Sequence, residues 1–129
     1  MIIEMMLGDC SYDGHEKTQS LFIECNVTEE EITLAYKKGV IEVGLDLEKE
    51  VATEYNEPYI YDDQVKILSE AGFVFDDLRE NHDNKMRWYV DWDEFFRMYM
   101  FLVEKGNPSI EWKRVKFDVV IMGGYGLFN

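Results

Sequence analysis

The segment Asp91–Lys105, DWDEFFRMYMFLVEK, constrains the fold more than any other. Asp91 and Glu94 have the spacing of a capping box, in which a side-chain oxygen at the N-cap and a carboxylate three residues on satisfy each other's backbone amides. Phe95, Met98, Tyr99 and Leu102 then recur at helical spacing, and Gly106 and Pro108 stop the pattern. A helix over Trp92–Lys105 with so aromatic a buried face needs a broad apolar surface to pack against.

The rest of the chain supplies that surface in alternating pieces. Met1–Leu7 reads as a strand ended by Gly8. Ser20–Cys25 reads as another, because Leu21, Phe22 and Ile23 suit a pleated buried face, and the two form a hairpin across the Asp9–Thr18 loop. Thr28 and Glu31 make a second capping box, followed by Ile32, Ala35, Tyr36 and Val40 at helical spacing. Glu29, Glu30 and Glu31 suit the positive end of that helix, Lys37 and Lys38 are expected near its negative end, and Gly44 closes it. A further helix is expected from Asp46 to about Tyr55, burying Leu47, Val51 and Tyr55 before Pro58. Asp62 is expected to cap a short helix bearing Val65, Ile67 and Leu68, with Gly72 just past its end. Phe73–Phe75 and Met86–Val90 read as extended, and Val115, Phe117, Val119 and Ile121 alternate as a half-buried strand. The expectation is an α+β fold: a single compact domain over residues 1–129, with a small, mainly antiparallel sheet against three to four helices.

Composition enters where it separates a folded acidic chain from a disordered one. Hydrophobic residues form 47% and aromatics 15% of the sequence, so the charge decorates a core and does not replace one. A chain of 129 residues buries about two-thirds of the surface its unfolded form exposes. Neither the Met1–Leu7 stretch, interrupted by Glu4, nor Val119–Met122 has the length of a signal h-region or bilayer span. Cytoplasmic residence (the host cytoplasm, if phage-encoded) and free thiols at Cys10 and Cys25 are therefore expected.

The net charge is −14, and it is unevenly placed. Residues 41–83 hold thirteen acids against three bases, a net −10, whereas residues 84–129 hold six against seven, a net +1. Phosphate recognition needs clustered Lys and Arg, so direct nucleic-acid binding and an anionic membrane are both disfavoured. The middle stretch is either a solvated set of faces or a docking surface for a basic protein. In the second case Glu42, Asp46, Glu48, Glu50, Glu54, Glu57, Asp62 and Asp63 are the carboxylates expected to steer the partner.

The loop Asp9–Thr18 gathers the densest set of reactive side chains. It reads as a turn around Asp13-Gly14, or as a small-ligand site using Asp9, Asp13, His15, Lys17 and Tyr125, the last from the Gly-rich tail. A divalent metal at Asp9, Asp13 and His15 belongs to that alternative, although neither the EF-hand pattern nor a second His at zinc spacing accompanies it. No cofactor and no catalytic residue are expected otherwise. Cys10 with His15 lacks a visible third group to orient the imidazole. The tail Gly123-Gly124-Tyr125-Gly126 has neither the Lys-Ser/Thr nor the following helix of a phosphate-binding loop.

Taken together, LGDCSYDGHEKT at Leu7–Thr18 and GGYGLF at Gly123–Phe128 resemble segments of small bacterial and phage proteins to which no activity is attached. Size and acidity also resemble those of anti-CRISPR and other phage anti-defence proteins. That resemblance of type implies an inhibitor that occupies a basic, nucleic-acid-handling surface; it carries no residue roles with it. The leading expectation is accordingly a non-enzymatic acidic interaction protein. The alternative is a ligand- or metal-binding domain, hydrolytic or not, at the Asp9–Thr18 loop. A homo-oligomer is compatible with either.

Overall fold

The computed structural model describes residues 1–7, 19–45, 52–54, 57–80 and 86–115. Their order is β1 (Ile2–Leu7), β2 (Gln19–Cys25), α1 (Glu29–Val43), β3 (Ala52–Glu54), β4 (Glu57–Tyr61), α2 (Asp62–Glu70), β5 (Arg79–Glu80), β6 (Arg87–Tyr89), α3 (Trp92–Gly106) and β7 (Trp112–Val115). The fold is α+β, but its strands form two antiparallel sheets where one was expected. The order is β1-β2-β7 in the first and β3-β4-β6-β5 in the second.

The β1–β2 hairpin is as expected, with Ile3 opposite Ile23 and Met5 opposite Leu21. Alternation turns Ile3, Leu21, Ile23 and Cys25 inward, where they are buried. Cys25 is a buried free thiol that donates to the Val27 carbonyl at 3.2 Å; Cys10 lies outside the described residues. The second sheet corrects the helix expected over Asp46–Tyr55 at Ala52–Glu54; residues 46–51 and Tyr55 lie outside the described residues. Ala52–Glu54 is strand β3, pairing Ala52 with Tyr59 and Glu54 with Glu57. Pro58, expected only to break a helix, sits inside β4. It pairs with Thr53, one residue before pairing with β6 begins at Tyr59, so its missing N–H falls outside that second ladder.

Helix α1 starts as its capping box requires: the Thr28 hydroxyl accepts from the Glu31 amide at 3.2 Å, and the Glu31 carboxylate accepts from the Thr28 amide at 3.1 Å. Gly44, at φ 89°, closes it, a left-handed conformation that only glycine adopts without strain. Lys37 and Lys38 fall more than a turn short of the end, and the last turn holds no basic residue. In α2 the N-cap is Tyr61, whose amide donates to Gln64 at 2.8 Å; Asp62 is the first helical residue and caps nothing. Gly72 stands past the end at φ 108°, as expected. Phe73–Phe75 forms no strand, and β7 begins at Trp112, with residues from 116 onward outside the described set.

Helix α3 lies between two clusters. Phe96, Met100 and Val103 pack with Ile3, Ile23, Ile32 and Ile110, while Met98 and Leu102 pack with Val40, Ile60, Leu68, Phe73 and Val90. Its apolar surface is thus broader than the single stripe of Phe95, Met98, Tyr99 and Leu102. Two glycines set its distance from α1. A Cβ at Gly39 would overlap the Leu102 carbonyl, and one at Gly106 would overlap that of Ala35. Tyr36 and Tyr99 stack across the same crossing, rings 4.2 Å apart and 11° from parallel.

Candidate functional site

The acidic middle of the sequence ends two of the three helices among the described residues. α1 finishes beside Glu42 and α2 at Glu70, and α3 ends beside Glu104 and Lys105. Residues from the last turns of these helices line one open groove of about 720 Å³. Val43, Ile67, Ala71 and Phe101 form its apolar lining, and the exposed Glu42, Glu70 and Glu104 its acidic rim. Of the residues in the three last turns, all described, only Lys105 is basic. Its ammonium lies 5.3 Å from the centre of the Phe101 ring. The Glu104 carboxylate is already engaged, accepting from the Trp112 indole at 2.7 Å.

The Phe101 ring meets Phe73 edge-on, centroids 5.3 Å apart. Phe73 carries a cation of its own, the Arg97 guanidinium, 4.9 Å from its centre. Arg97 pairs with Glu94 and Asp76 and donates to the Val74 carbonyl at 3.0 Å. Glu94, only 2% exposed, also accepts from the Asp76 amide at 2.9 Å and the Asp77 amide at 3.2 Å. The expected capping box is therefore half made. Asp91 accepts from the Glu94 amide at 2.7 Å, but the Glu94 carboxylate turns away to hold the loop after Phe73. A buried carboxylate so filled with donors is a structural clamp.

The carboxylates expected to steer a partner divide. Glu42 stands on the groove rim. Asp62 is already engaged: Trp88 donates its indole N–H to one oxygen at 3.1 Å, and Lys66 sits 3.3 Å from the other. These contacts, the indole first, hold the Asp62 carboxyl below its ordinary value of 3.8. Asp63 is exposed beside it on the first turn of α2. Glu54 and Glu57 are register partners in the β3–β4 pairing. Asp46, Glu48 and Glu50 lie outside the described residues, as do Asp9, Asp13, His15, Lys17 and Tyr125 of the alternative ligand site.

Among the described residues no group of three or more His, Cys, Asp or Glu is placed to hold a metal ion, and no helix is long and apolar enough to cross a membrane. Sequence reasoning missed Phe101, Glu104 and Lys105. Their signal was local, an aromatic and a lysine four apart on one helix, but its meaning depends on the ends of α1 and α2. The chain matches no family model, and no match was found among curated proteins or solved structures.

Proposed function

We propose that this protein is a non-enzymatic interaction protein that engages a basic surface of another protein through the groove lined by the last turns of α1, α2 and α3. The observation that supports the reading is the composition of that groove: Val43, Ile67, Ala71 and Phe101 line it together with the exposed Glu42, Glu70 and Glu104. Carboxylates steer the encounter, and the apolar lining supplies area that can be desolvated. A basic surface that normally handles nucleic acid is the partner whose charge fits, so the expected consequence is inhibition of such machinery, as in phage anti-defence proteins.

The test is a binding isotherm against a basic nucleic-acid-handling protein at rising salt. Affinity falls steeply with ionic strength, and charge reversal by Glu42→Lys with Glu70→Lys abolishes binding while leaving the fold intact. Affinity indifferent to both changes would sink the reading.

A further inference from the structure

Resting on that basic-partner reading, we infer that the groove is a receptor for an arginine side chain, whose guanidinium takes the Phe101 ring that Lys105 now covers. The molecule contains the occupied version of such a site. Beside the groove, Phe73 carries the Arg97 guanidinium at 4.9 Å, with Glu94 and Asp76 as counter-charges. Phe96 carries Arg114 at 5.5 Å, and Asp93 accepts from that guanidinium at 3.0 Å. In both cases a planar cation lies on a phenyl face with a carboxylate at hand, the arrangement guanidinium satisfies better than ammonium.

Phe101 has the ring and shares its groove with carboxylates, but its cation is the exposed Lys105 at the end of α3. An ammonium is a compact, strongly hydrated charge, and its hold on an exposed ring is weak. Lys105 is therefore a placeholder. An incoming guanidinium lies flat on Phe101, meets the rim carboxylates with its forked donors, and returns the Lys105 ammonium to water.

Calorimetric titration of the full chain with two short peptides, one alternating Arg and Ala and the other Lys and Ala, tests this. The arginine peptide binds about threefold or more tightly than the lysine peptide. Lys105→Met strengthens arginine-peptide binding, and Phe101→Leu abolishes the preference for arginine. Removing two charges by Glu42→Gln with Glu70→Gln weakens binding far more than the same loss at Glu29 and Glu30, which lie at the other end of α1. Equal affinity for the two peptides overturns this inference alone. So does an unchanged arginine affinity in Lys105→Met, a surface variant whose folding is not in question. Failure of both peptides to bind overturns the basic-partner reading and this inference with it.

Discussion

Phe73 and Phe101 touch edge to face, yet the cations upon them have opposite fates. Arg97 on Phe73 is locked by Glu94, Asp76 and the Val74 carbonyl, and through Glu94 it pins the chain at Asp76 and Asp77. Lys105 on Phe101 stands at an exposed helix end in an open groove. A cation over a phenyl ring thus serves once, as guanidinium, in an internal clamp and once, as ammonium, on an accessible surface. What separates them is the burial of the carboxylate: Glu94 is withdrawn from water, whereas Glu42, Glu70 and Glu104 are exposed. Buried charge is committed to the fold, while exposed charge contributes little to stability and is available for binding.

The largest effect is expected on the clamp. Glu94→Ala strands two loop amides, leaves Arg97 only Asp76 and the Val74 carbonyl, and costs about 3 kcal/mol in denaturant unfolding, the low end for a broken buried pair because Arg97 is partly exposed. Gly39→Ala attacks the α1–α3 crossing that serves both regions. Helix propensity favours alanine by about 1 kcal/mol and overlap with the Leu102 carbonyl costs about 3 kcal/mol, so a net loss of about 2 kcal/mol is expected. Arg97→Met leaves the buried Glu94 carboxylate its amide donors but no cation, and costs about 2 kcal/mol. Glu42→Lys with Glu70→Lys changes stability by no more than about 0.5 kcal/mol while removing binding, which separates groove from clamp most sharply.

The smallest effect concerns Asp62. Its depressed carboxyl contributes stability above about 3.8, the ordinary value, and that contribution is lost as pH falls through the lower folded value. Unfolding free energies of the native chain and Asp62→Asn therefore differ slightly at neutral pH and converge in strong acid.

Elements with local punctuation were legible in the sequence. Thr28, Glu31 and Gly44 bounded α1, and Gly72 the end of α2, because capping chemistry acts within a few residues. The second sheet was not. The span Asp46–Tyr55 places apolar residues at helical spacing, but Ala52–Glu54 belongs to a strand that acquires its meaning from Tyr59 and Pro58 across the pairing. The Asp91–Glu94 box was half legible, since Glu94's better donors, Asp76 and Asp77, come from outside the helix. Gly39 carried no signal at all: a glycine inside a helix reads as a weakness until another backbone arrives against it. The groove shares that logic. Glu42 and Glu70 were visible as acids, but their convergence with Phe101 and Glu104 is a property of the helix ends in space.

Helix α3 has one further consequence. Because it contributes side chains to both clusters and ends at the groove, neither cluster can melt while the other keeps its native packing. Whatever occupies the groove grips the element on which the whole unfolding transition turns. Occupancy will therefore be readable as a rise in melting temperature that grows with the logarithm of ligand concentration, without any label at the groove itself.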